Sequence, residues 1–148
     1  MTLEKLKEYA DEKNITIIDG ALKNKKAFAF ADDEQKAIVM DNSKIADFEQ
    51  KEILGEEIGH CEMDSLCFAF LYTSPIFRLL ISKAEHEAKA WAFKALTPIC
   101  TLKDKILNGY TTAQLSEFFG VTHRFILQAI SYYQSKNLLS EGGAYAYC

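Results

Sequence analysis

The sequence predicts an α+β fold: a small three-stranded antiparallel sheet packed with a charged motif-bearing helix, followed by a mostly helical C-terminal half. The prediction rests on two changes in apolar spacing and on size. Spacing is helical near the N-terminus, gives way to three short apolar runs separated by turn-prone segments, and returns to helical from residue 43 onward. At 148 residues and 49% hydrophobic content, the chain has enough apolar side chains for one packed interior. We divide it into a core, residues 1–100, and a helical extension, residues 101–148, within one compact unit.

The elements follow in order. From Thr2 to Lys13, Leu3, Leu6, Tyr9 and Ala10 recur at helical spacing among charges and predict an amphipathic helix ending near Asn14. Strand character marks Ile15 to Ile18, Ala27 to Phe30 and Ala37 to Met40, separated by DGALKNKK and ADDEQK, and suggests a meander. Ser43 is placed to cap a second helix carrying Phe48, Ile53 and Leu54 on its apolar side. The aromatic stretch Leu66 to Ile81 reads as partly helical, interrupted near Ser74-Pro75. A long helix over Ser82 to Leu96 stops before Pro98, because proline disfavours helical geometry in the residue preceding it. Shorter helices are expected over Leu102–Leu107, Thr112–Phe119 and Thr122–Lys136, the first ending at Asn108-Gly109 and the second at Gly120, with SEGGAYAYC as a frayed or extended tail.

Composition excludes several classes. A mild net charge of −4 makes no strong electrostatic case for nucleic acid or an anionic membrane as a partner. The run LCFAFLY is too short to span a bilayer. Cys61, Cys67, Cys100 and Cys148 form no Cys-x-x-Cys pair, and no signal peptide is evident, so we expect reduced thiols in a cytoplasmic protein.

Chemistry concentrates in ILGEEIGHCE, residues 53–62. Glu56-Glu57-Ile58-Gly59-His60 has the spacing of the zinc-peptidase pattern H-E-x-x-H, with a glutamate in place of the first histidine. Residues four apart share a helix face, so Glu56 and His60 can address one ion, and Glu57 stands at the general-base position. Alone, such a string is most often a solvated helix face.

A second string, AEHEAKAWAFKALTP at residues 84–98, changes the odds. Taken with the first, it resembles the ImmA/IrrE family of metallopeptidases, whose second motif runs roughly E-x-x-A-(N/D)-x-F-A-x-x-L-x-x-P. Glu85, Ala88, Trp91, Ala92, Leu96 with Ala95 just before it at the motif's leucine position, and Pro98 carry the resemblance. It implies that Glu85 is the third metal ligand, and that the family's Asn or Asp bracing the first histidine is here Lys89. The two departures therefore correspond, and the resemblance points to an ion pair between Glu56 and Lys89.

A gluzincin-like fold is implied, with a cytoplasmic endopeptidase activity directed at a transcriptional repressor or other regulator, often encoded on a phage or mobile element. Glu56, His60 and Glu85 offer one nitrogen and two carboxylates, a set suited to zinc, with manganese or iron as rivals because carboxylates are harder ligands than imidazoles. A metal-free site is the alternative, since a lysine on Glu56 competes with the ion and repels it. The protein then binds a regulatory partner without cutting it.

His86 and Cys61 adjoin ligand positions but point about 100° away along their helices. Glu62, Asp64 and Cys67 follow no metal spacing. Phe68, Phe70, Tyr72 and Phe77 read as core, with a substrate groove as the other reading. The string from Leu115 to Ile126 resembles a helix-turn-helix, but Arg124, Gln128, Gln134 and Lys136 are a thin electrostatic footprint for DNA. A packed helical pair is the expected role, with direct DNA binding as a second alternative.

Overall fold

The computed structural model describes residues 1–31, 35–63 and 75–139, of which Ala31 and residues 75–80 are described by backbone alone. Helix α1, Leu3–Glu12, is opened by the Thr2 side chain accepting from the Lys5 amide, and it buries Leu6 and Ala10. Asn14, with φ of 55°, turns the chain out of the helix; asparagine tolerates that left-handed conformation better than most residues do. Strands β1 (Ile15–Asp19), β2 (Ala27–Ala31) and β3 (Lys36–Met40) follow.

The sheet has the order β1-β3-β2, with β2 antiparallel and β1 parallel to β3. This corrects the all-antiparallel meander. The run Ala37-Ile38-Val39-Met40 takes the centre, where a strand paired on both sides is most shielded. Residues 20–26 cross beyond it, so that β1 pairs with β3 rather than with its sequence neighbour β2. Asp41 fixes the crossing: its carboxylate accepts from the Leu22 amide at 2.9 Å and pairs with Lys44 at 2.9 Å. The Ser43 hydroxyl, the Lys44 ammonium and the Leu22 amide together hold the Asp41 carboxyl well below the usual carboxylate range.

Register assigns the two faces. Ile17, Ile38 and Ala29 align across the strands, and Ile15, Ile38, Met40, Ala27 and Ala29 are buried. That face receives helix α2, Gln50–Glu62. The predicted Ser43 cap is not formed, because the Ser43 hydroxyl donates to Asp41 instead. The helix starts at Gln50, and Phe48 lies ahead of it, 67% exposed rather than packed.

Helix α3, Pro75–Leu96, starts seven residues earlier than the spacing predicts. Pro75 is its first residue, where the missing N–H has no intrahelical partner to lose. Helices α4 (Ile99–Leu107), α5 (Thr112–Phe119) and α6 (His123–Ser135) complete the chain, α4 starting three residues before the prediction. Residues 101–139 share the interior: Phe93 stacks on Phe125 and Tyr132 at 5.0 and 5.5 Å, and the buried Tyr133 hydroxyl donates to the carbonyls of Phe93 and Thr97. The tail from Ser140, and residues 64–74 with Asp64, Cys67, Phe68, Phe70 and Tyr72, lie outside the described residues, as does the Phe77 side chain. Among the described residues, no helix is long and apolar enough to cross a membrane.

Candidate metal centre

The site is built on the crossing of α2 and α3. Leu54, Ile58 and Cys61 are fully buried on α2, and Ala88, Ala92 and Leu96 are buried on α3. Burying a Leu or Ile of this size contributes about 2 kcal/mol, enough to fix the helix pair. Gly55 and Gly59 sit in the contact. A Cβ at Gly59 would lie 2.5 Å from the Ala88 carbonyl oxygen, and one at Gly55 would lie 3.3 Å from Leu96 Cδ1. At Gly59 the backbones meet where only glycine fits, while Gly55 lies tightly against the Leu96 side chain.

That close approach brings four charged side chains into register. Stepping back one turn on α2, from His60 to Glu56, corresponds to stepping forward one turn on α3, from Glu85 to Lys89, as expected of antiparallel neighbours. His60 Nε2 lies 3.6 Å from the Glu85 carboxylate, and Lys89 Nζ lies 3.6 Å from Glu56 Oε1. The expected Glu56–Lys89 pair is formed. At these distances both contacts are ion pairs rather than well-formed hydrogen bonds.

Glu56, His60 and Glu85 each offer a ligand atom, and all three atoms lie within 4.8 Å of one another. In a tetrahedral zinc site with bond lengths of ~2.1 Å, two donors stand ~3.4 Å apart. The cluster must therefore contract by about 1 Å to share an ion, and half-exposed Glu85 has the freedom to move. One nitrogen and two hard oxygens suit zinc, manganese or iron.

Protonation follows from position. Burial drives the Glu57 carboxyl up to about 7, against the opposing charge of His60 and a hydrogen bond from the Ala29 backbone. Burial also lifts Glu56 above the usual carboxylate value, with Lys89 opposing it. For His60, burial pulls the pKa down, but pairing with Glu85 and the charges of Glu57 and Glu56 outweigh it, and the imidazole ends above its ordinary value. Glu85 is lowered, first by His60. Glu57 is thus a carboxyl poised near neutrality beside the cluster, which suits a general base at neutral pH.

Two contributors escaped the sequence. Strand β2 lies at the sheet edge over α2, and its Ala29 amide reaches Glu57. Lys25, just before β2, rests over the Phe28 ring at 5.0 Å and its charge acts on Glu85. Neither has a spacing signal, because sheet order, not sequence separation, places them. Of the other candidates, exposed His86 bonds to the Ser82 carbonyl at 2.9 Å, a contact within its own helix turn. Cys61 is buried and its thiol is pushed up to about 11, a poor nucleophile or ligand. Glu62 is drawn to the Tyr9 hydroxyl.

The α5–α6 pair is fastened to the same helix. Glu52, one turn before Glu56, accepts from both the amide and the hydroxyl of Thr122, and Lys51 donates to the Phe119 carbonyl. The N-terminus of α6, which a helix-turn-helix protein directs at DNA, is here occupied by the carboxylate of Glu52. Comparison with protein-family models, curated proteins and solved structures finds no match to this chain.

Proposed function

We infer that the Glu56–His60–Glu85 cluster is a divalent-metal site and that the protein is a metal-dependent endopeptidase with Glu57 as general base. The observation that supports this most directly is the convergence of three ligand atoms within 4.8 Å, one helical step from a carboxyl titrating at about 7. When bound, the ion supplies Lewis acidity toward a peptide carbonyl and an attacking water. Glu57 then takes the water's proton on its carboxylate and returns it to the leaving amine. The edge strand β2 borders Glu57, so an extended peptide laid along that edge reaches the base by strand addition. The ImmA/IrrE resemblance of the two motifs suggests a repressor or other regulatory protein as substrate.

Metal content after purification tests this reading. Near-stoichiometric zinc, manganese or iron is expected, reduced to background by His60→Ala and by Glu85→Gln. Protein that stays metal-free when zinc or manganese is added sinks it. Cleavage that survives Glu57→Gln would remove Glu57 as the base while leaving the metal site.

One specific observation favours a second reading. Lys89 and His60 already neutralise Glu56 and Glu85, which suits a metal-free protein that binds a regulator without cutting it. Full partner affinity in metal-free protein, unchanged by Glu57→Gln, would establish that reading over the first.

A further inference from the structure

Lys89 stands where a divalent ion would be attracted. Its ammonium lies 3.6 Å from Glu56 Oε1, and its charge also acts on Glu85, four residues earlier on the same face of α3. Lys89 is thus in electrostatic contact with both carboxylates of the cluster, from a side chain 46% exposed to water. An ion shared by Glu56, His60 and Glu85 would meet Lys89 as a like charge only one ligand away. The two cations compete for the same carboxylate oxygens.

We propose that Lys89 is the resident cation of the cluster, and that a divalent metal enters by displacing it from Glu56. Lys89 is on this account an affinity-setting residue, and the inference rests on the metal-site reading above. Exposure makes the exchange feasible: the long side chain can swing into solvent without leaving a buried charge behind. Glu56 would change partners, from ammonium to metal, without losing charge compensation. The other charged groups facing the cluster are Lys25, whose charge acts on Glu85, and Glu57, which is coupled to Glu56, His60 and Glu85. A lysine retained here makes occupancy depend on available metal: the site is closed by an internal ion pair at low metal and open at high metal.

Calorimetric titration of the full chain with zinc sulfate and with manganese chloride, at fixed pH and ionic strength, tests this on Lys89→Met, Lys89→Arg and Lys89→Glu. Lys89→Met is expected to bind about three- to tenfold more tightly than the unaltered protein, the range for losing one half-exposed opposing charge. Lys89→Arg should match the unaltered protein, and Lys89→Glu should bind more tightly than Lys89→Met. Circular dichroism of each variant checks the fold. Equal affinities across the series, each abolished by His60→Ala, would overturn the role of Lys89 and leave the metal site standing. Absence of saturable binding in every variant would overturn both.

Discussion

At the start of α5, Thr111 and Gln114 close a reciprocal capping box, Gly120 ends the helix in the left-handed conformation, and Thr122 caps α6 through the Phe125 amide. At the start of α2, Glu49 makes no side-chain cap, and the helix goes on to place three glutamates and a histidine against a sheet and a neighbouring helix. The first region is held by local rules that each residue satisfies. The second is held by close helix packing and carries half-buried charge at a cost. A sequence usually departs from its own local rules where a site needs residues that stability alone would not choose.

The strongest way to break this contrast is at the glycines. Gly59→Ala forces a Cβ to within 2.5 Å of the Ala88 carbonyl oxygen, so α2 and α3 must separate. We expect a loss of about 3 kcal/mol and the loss of the Glu56–Lys89 and His60–Glu85 registers together. Gly120→Ala meets no backbone, only Lys51 Nζ at 3.6 Å, and keeps a φ of 60° at a cost of about 1 kcal/mol. Urea unfolding of both variants checks the ratio. Equal losses would show that helix approach does not build the site.

Glu57 supplies the next effect. Its folded-state pKa, about 7, stands above the ordinary carboxylate value of 4.5, so the folded chain holds a proton that the unfolded chain has released. Stability from this group is fully present below pH 4.5 and is lost as pH rises through about 7. Relative to Glu57→Gln, metal-free protein should lose about 2 kcal/mol across that window, a figure below the full shift because Glu57 is not sealed from water. His60, also raised, slopes the same way at higher pH, and the comparison with Glu57→Gln separates the two. Parallel profiles would mean that Glu57 carries no buried-charge cost.

Legibility in the sequence divides along the same line. The C-terminal helices could be read because Thr111, Gly120 and Thr122 are local signals acting within a turn. The pairing of Glu56 with Lys89 could be read because two motifs departed from one pattern at corresponding places. The sheet could not be read fully: nothing near Ile15 or Ala27 encodes that β3 takes the centre, a choice made by burial of Ile38 and Met40. Helix α2 starts at Gln50 rather than after Ser43, whose hydroxyl is claimed by Asp41, itself bonded to the crossing segment at Leu22. Gly55 and Gly59 stood in plain view inside the opening motif, yet their purpose is visible only once Ala88, Ala92 and Leu96 face them.

Glu52 joins the two regions, and its removal is expected to cost less. Glu52→Ala leaves the Thr122 amide and hydroxyl without their acceptor, while it relieves a carboxylate whose pKa burial has raised. The opposing contributions leave a net loss of about 1 kcal/mol. Thr122→Ala combined with Glu52→Ala should be less damaging than the sum of the two single changes, because both remove the hydroxyl–carboxylate contact, while Thr122→Ala keeps the amide bond to Glu52. Additive losses would show that the Thr122 hydroxyl does not help to fasten α6 to this carboxylate.

The smallest effect belongs to Thr111. Thr111→Ala removes the side-chain oxygen that accepts from the Gln114 amide at 3.3 Å and opens the reciprocal bond from the Thr111 amide to Gln114 Oε1 at 2.8 Å. An exposed cap of this kind contributes about 1 kcal/mol, which lowers the melting temperature of a chain this size by roughly 3 °C. Because, among the described residues, the hydrogen bonds from α2 to the α5–α6 pair come from Lys51, to Phe119 of α5, and Glu52, to the α6 cap Thr122, one turn before Glu56, metal affinity should stay unchanged while the melting temperature falls. A Thr111→Ala protein with altered metal affinity would mean that the α5–α6 pair sets the position of α2. The C-terminal helices would then belong to the site rather than merely support it.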